Sequence, residues 1–177
     1  MVPYMGREYM IKPEELTVEG FAPFGLAILK PRPPAPKSGN DWDCWFPLGT
    51  LSRGEMAVGV VVTRPCNALI TAMEREPKTE CILPVNSPII QAVALPGDLA
   101  DHMECPKASA VRIFIVRPGQ SIIMAPGTWH WAALPLYDKE CVYFFITEPH
   151  PAEPGREVSP WVPFENGDAV RVVMAGI

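Results

Sequence analysis

The stretch TAMEREPKTECILP, residues 71–84, carries three carboxylates, Glu74, Glu76 and Glu80, inside segments that otherwise read as β-strand. Side chains at i and i+2 of a strand face the same side, so Glu74 and Glu76 share a face. A turn near Pro77–Lys78 brings Glu80 back to that side from the neighbouring strand. Further along, PGQSIIMAPGTWHW (118–131) runs an apolar strand into Pro126-Gly127, a pair suited to a tight turn, and puts His130 at the start of the next strand. Three carboxylates in a partly dry pocket cannot all ionise freely. Three arrangements relieve them. A divalent metal held by Glu74, Glu76, Glu80 and His130 would neutralise the charge, and such an oxygen-rich set suits Mn, Fe or Mg. An arginine, Arg64 or Arg112, would pair with one of them. Or one Glu stays protonated and serves as a general acid near neutral pH. The plainer alternatives are a charged hairpin tip at EREPKTE and a satisfied core histidine at position 130. The other two histidines, His102 in a polar loop and His150 between prolines, read as surface residues.

These side chains need strands to position them. The chain has 177 residues, 22 of them proline. Proline removes a backbone donor and breaks helix interiors, and short segments end at one in VTRP, ILP, ALPG and VRPG. Strands are predicted at GLAIL, 56–65, 68–76, 79–85, 88–95, 110–119, 120–127, 129–136, 140–149 and 169–174. Gly or Pro punctuates them at short, regular intervals, the signature of a sandwich or barrel. Long helices alternating with strands are missing from the pattern, which argues against a doubly wound parallel sheet. Residues 30–41 form a Pro-rich loop, and an irregular C-terminal extension starts near 148.

Composition sets the outer limits. The apolar fraction is 48%, the charged fraction 20% and the net charge −5, values of a soluble globule that argue against nucleic acid and anionic membranes as partners. No apolar run is long enough to span a bilayer, and the first ten residues lack the layout of a secretory signal, so a cytoplasmic location is expected. The five cysteines, an odd number without a CxxC, read as reduced thiols rather than a disulfide framework or zinc cluster.

The run Gly119…Pro126-Gly127-x-x-His130 resembles the second motif of the cupins, small β-barrels of the jelly-roll type. Their first motif reads His-x-His, three or four residues, Glu, six residues, Gly. Glu74, Glu76, Glu80 and Ser87 match its spacing, with carboxylates for both histidines and Ser87 for the glycine. MEREP…ECILPVNSPIIQAVALPGD more closely resembles the ureidoglycolate lyase family, whose segment runs Glu-Arg-His-Pro, Gln, an apolar pair, Pro, and a strand ending Ala-Leu-Gly-Asp. VRIFIVRPGQSIIMAPGTWHWAALPL, LTVEGFAPFGLAI and VVVTRP resemble further stretches of it in the same order, so the likeness runs in patches from about residue 15 to 147. Glu74, Arg75, Pro77 and His130 keep the family's residues, while Glu76 replaces a His, Glu80 a Gln and Trp131 the second His of a pair.

The resemblance implies an all-β, single-domain cupin over residues 1–177. It implies a lyase splitting ureidoglycolate into glyoxylate and urea, or acting on a related small ureido or hydroxy acid. In such a reaction Glu74 or Glu76 is the base and His130 the acid or a metal ligand. Arg64, with Arg112 in reserve, would hold a substrate carboxylate, and Trp129 or Trp131 would wall the pocket. One divalent metal (Mn, Fe, Ni or Mg) or none is expected, and a homodimer. A metal-dependent cupin isomerase, dehydratase or dioxygenase, and a non-enzymatic binder of small acids, stand as alternatives.

Overall fold

The structure, a computed structural model, describes residues 6–41, 43–51, 53–101, 103–149 and 161–174. His102, His150 and the stretches 150–160 and 175–177 of the C-terminal extension lie outside the described residues. The chain opens with β1 (Glu8–Ile11), β2 (Glu14–Glu15), a single helical turn α1 (Val18–Phe21) and β3 (Gly25–Ile28). Thr17 caps that turn, its hydroxyl accepting from the Gly20 amide at 2.9 Å. The Pro-rich loop contains β4 (Lys37–Ser38), which pairs with β5 (Asp43–Cys44). Next come β6 (Ala57–Thr63), β7 (Leu69–Ile70), β8 (Ala72–Arg75), β9 (Glu80–Pro84) and β10 (Ile89–Ala94). The remainder is β11 (Arg112–Val116), β12 (Ser121–Met124), β13 (Trp129–His130), β14 (Leu134–Pro135), β15 (Cys141–Thr147), β16 (Val162–Pro163) and β17 (Ala169–Val172).

Two large sheets dominate. One is ordered β16-β8-β13-β10-β11-β2 with β14 also on β10; the other is β3-β12-β9-β15-β6. From β8 to β15 the chain passes back and forth between them, as in a jelly roll. A three-stranded sheet, β1-β17-β7, covers the outer side of the first. β10 lies in the middle of these layers, which explains its sequence. IIQAVA shows no apolar–polar alternation because both faces are covered. Ile89 and Val93 pack with Ile82, Ile122 and Met124 of the facing sheet, while Ile90, Ala92 and Ala94 pack with Ile70, Val170 and Val172.

Most predicted strands fall where the pattern put them. The segment 68–76 instead divides at Thr71, whose carbonyl accepts the Phe164 amide, so that β7 joins the outer sheet and β8 the large one. The segment 129–136 also divides. Val93 pairs with His130 and Ile90 with Leu134, which leaves Gln91 and Ala92 opposite three residues, Trp131, Ala132 and Ala133. This is a one-residue bulge. Gln91 holds it by donating from Nε2 to the Trp131 carbonyl. The parallel pairings β1–β17 and β2–β11 are carried by N-terminal segments with no clear strand pattern.

Candidate functional site

β8 and β13 are antiparallel neighbours, with Glu74 opposite His130 and Arg75 opposite Trp129. Opposed residues project on the same face, so the two pairs take opposite sides of the sheet. Glu74 and His130 face the interior between the large sheets. On the other side the Arg75 guanidinium lies 4.5 Å over the Trp129 ring and binds Glu104 at 2.5 Å. Glu80 begins β9 in the facing sheet and approaches His130 from across the gap. The turn before β13 fixes the height of the imidazole. Gly127 adopts φ +79°, where a side chain is strained. Its amide donates to the Glu76 carbonyl at 2.8 Å, and its own carbonyl accepts from the Gly97 amide at 2.9 Å.

The His130 ring is buried with both nitrogens facing acceptors. Nδ1 lies 3.0 Å from the Thr128 carbonyl, and Nε2 lies 3.2 Å from Glu80 Oε2 and 3.8 Å from Glu74 Oε1. A neutral imidazole has one donor; only the imidazolium satisfies both sides. Burial by itself would lower the His130 pKa. The hydrogen bond and charge of Glu80, the Thr128 carbonyl and the charge of Glu74 outweigh it, so the pKa is raised. The Glu74 pKa is also raised, first by burial and then by Glu76 and Glu80, against the opposing pull of His130. The site thus pairs a more basic carboxylate with an imidazole that holds its second proton more tightly.

These groups open onto a cavity of about 520 Å³ lined by Glu74, Glu76, Glu80 and His130, a volume suited to a small molecule. The four predicted residues are therefore brought together. Trp131 joins them in the wall, at the bulge. The other expected substrate-binding residues do not reach the lining. Arg64 lies on the surface, 3.4 Å from Glu140, because it sits past the end of β6. Arg112 is held at the far end of the sheet by both Glu14 oxygens and by the Gly20 carbonyl. Trp129 alternates with His130 and is packed in the core on the opposite face.

Residues the sequence did not single out complete the wall. Gln91 is the one polar residue of IIQAVA, a signal in itself. Tyr143 and Phe145 come from β15, Ala57 and Val61 from β6, and Glu148 from the segment after β15. Burial pushes the Tyr143 hydroxyl up to about 12, so it stays neutral. Glu148 is 3.3 Å from Lys78. Ser87, at the position of the cupin glycine, is buried with no hydrogen-bond partner for its hydroxyl among the described residues. A second hollow of about 460 Å³, where residues 47–50 meet β3 and β12, has no titratable side chain in its lining.

Among the described residues no group of three or more His, Cys, Asp and Glu side chains is arranged to hold a metal ion. Nε2 of His130, the nitrogen on the cavity side, is directed at Glu80 instead. As they stand, Glu74, Glu76, Glu80 and His130 do not fit a metal centre. Their geometry is that of an acid–base cluster.

The sequence model of ureidoglycolate lyase matches residues 8–161. The chain belongs to the ureidoglycolate lyase family. The jelly-roll sheets around the site are in keeping with that membership. No curated protein matches the chain. Solved structures similar to it include a variant of the oxalate decarboxylase of Bacillus subtilis, 15% identical over 51% of this chain and 21% of that one, with a TM-score of 0.37. Another is the formate complex of the Lactobacillus farciminis oxalate decarboxylase, 13% identical over 52% of this chain and 23% of that one, with a TM-score of 0.38. The chain thus spans under a quarter of the length of these decarboxylases. Among the described residues no helix is long and apolar enough to cross a membrane.

Proposed function

We propose that this member of the ureidoglycolate lyase family cleaves the carbon–nitrogen bond of a small ureido carbinol, the bond broken when ureidoglycolate yields glyoxylate and urea. The observation that carries the proposal is His130, buried in the cavity wall with Glu80 and Glu74 at its Nε2. Glu74 takes the proton of the carbinol hydroxyl. The carbon–oxygen bond becomes a carbonyl, and the carbon–nitrogen bond breaks with its electron pair going to nitrogen. His130 delivers the Nε2 proton to the departing urea, and Glu80 holds the ring in the orientation that allows it. A base is most effective when its pKa approaches the working pH, and the raised pKa of Glu74 moves it that way. Every proton in this sequence is carried by the chain's own side chains. A homodimer belongs to the same proposal.

Glu74→Gln and His130→Ala are the direct test. Each is expected to lower kcat by roughly a hundredfold or more while circular dichroism and the unfolding midpoint show a folded protein. Urea release at the wild-type rate by both variants would overturn the proposal. Adding Mn²⁺ or Fe²⁺ to protein stripped with a chelator, and finding that activity depends on it, would replace direct proton transfer with a metal-assisted reaction.

A further inference from the structure

β10 turns Ile89, Gln91 and Val93 toward the facing sheet, and Val93 is the cross-strand partner of His130. Gln91 is therefore a diagonal neighbour of the imidazole on the same face, a separation of about 7–8 Å, and it lines the same cavity. The residue is 1% exposed. A primary amide buried so deeply is costly unless its polar atoms are paired. Its nitrogen is paired within the chain: Nε2 donates to the Trp131 carbonyl and, at 3.2 Å, to the Ala92 carbonyl. Both of these acceptors are oxygens, so only the amino end of the amide can face them, and its orientation is fixed. Oε1 is held at the other end, and no described residue donates to it. Among the described residues Ser87 Oγ is the one fully sealed side-chain oxygen or nitrogen without a partner. Oε1 is thus an unspent acceptor that is not sealed, and the space it opens to is the cavity.

Resting on the lyase proposal above, we propose that Gln91 is the residue that selects a ureido group: its Oε1 accepts an N–H of the terminal ureido nitrogen, while His130 serves the nitrogen bonded to the carbinol carbon. A ureido group with one hydrogen bond at each nitrogen covers the step between these two neighbouring side chains. The same amide then has two duties. Its amino end holds the bulge that carries Trp131 into the cavity wall, and its oxygen reads the substrate. The discriminating analogue is an acetamido carbinol, which has a methyl group where the ureido compound has its terminal NH2 and is otherwise the same shape. Its cleavage uses the same bonds: the hydroxyl proton goes to Glu74, the carbon–nitrogen bond breaks, the nitrogen gains the His130 proton, and glyoxylate and acetamide leave. A site built to accept an N–H rejects the analogue that lacks it, because the buried acceptor is left unpaired.

The test has a kinetic arm and a binding arm, each run on wild type and on Gln91→Met, which keeps the length of the side chain without its acceptor. Glyoxylate release is measured from ureidoglycolate and from N-acetyl-2-hydroxyglycine. Calorimetry compares N-carbamoylglycine with N-acetylglycine, which carry the same two end groups and cannot be cleaved. The expected result in the wild type is a preference of roughly tenfold or more for the ureido compound in both arms, and its collapse toward equality in Gln91→Met. A loss of bulge structure alone would lower both members of each pair together and leave the preference in place, which overturns the proposal. Equal use of the two substrates by the wild type overturns it without any variant and leaves the lyase standing. No turnover of either substrate, with N-carbamoylglycine still preferred and that preference lost in Gln91→Met, removes the lyase reaction and keeps the ureido subsite. No turnover combined with equal or absent binding of the two glycine derivatives overturns both.

Discussion

At the residue scale, the spacing of Glu74, Glu76, Glu80 and His130 was enough to place the four in one cluster, because strand alternation and a Pro-Gly turn are local rules. What each group does depends on distances no spacing can give. Glu80 turns out to be the hydrogen-bond partner of His130, and Glu74 its cross-strand neighbour. Arg64 and Arg112 were the natural choices for a substrate carboxylate, yet each is taken by a glutamate far away in sequence. A pH dependence follows from the His130–Glu74 pair. Both pKa values are raised on folding, so the folded chain binds these protons more tightly than the unfolded one. The contribution of Glu74 is complete below its ordinary 4.5 and is lost as pH climbs through its raised value. That of His130 is complete below 6.5 and is lost through its own raised value. Stability from these two groups therefore falls as pH rises. Urea midpoints taken upward from pH 6.5 should decline in the wild type and decline less in His130→Gln. A wild-type midpoint that rises over that range would contradict the assignment. The proposed mechanism uses ionised Glu74 and protonated His130, so kcat should rise through the first pKa and fall through the second.

At the element scale, the strands were legible where one strand has one environment. β6, β9, β10, β11, β12 and β15 lie within the predicted segments. The segments 68–76 and 129–136 were not resolved, because each is one strand-like run divided between two environments, and the division depends on partners elsewhere: Phe164 at Thr71, and Gln91 at Trp131. The bulge at Trp131–Ala133 matters to the site, since all three residues line the cavity. The turn before β13 matters equally. A Cβ at Gly127 would lie 2.9 Å from the Gly97 carbonyl oxygen, on top of the positive φ. Gly127→Ala should cost about 1–2 kcal/mol of stability. It should also lower kcat by more than the small unfolded fraction explains, because the relaxed turn moves His130 relative to Glu80. An unchanged kcat with an unchanged unfolding midpoint would show that the turn does not set the position of the imidazole.

At the scale of the whole molecule, the layering leaves the β15–β6 side of one large sheet exposed on its outer face among the described residues. The first large sheet is buried between two others, but the five-stranded sheet has the cavity on its inner side and exposed apolar side chains outside. Val58, Val60 and Val62 of β6 are 67%, 56% and 44% exposed, and Phe144, which pairs with Val60, is 43% exposed. A valine ridge along an edge strand is an aggregation hazard unless something covers it. The proposed homodimer gives it a cover: a second copy of the same face. The same strand turns Ala57 and Val61 into the cavity, so a partner pressed on the ridge would also brace the wall that faces Glu74 and His130. Wild-type protein is therefore expected to sediment as a dimer, and Val60→Lys, which adds a charge to the ridge without touching the lining, as a monomer with lower activity per chain. If the wild type sediments as a monomer at the concentrations used for assay, or if Val60→Lys remains dimeric, the ridge is not the seam.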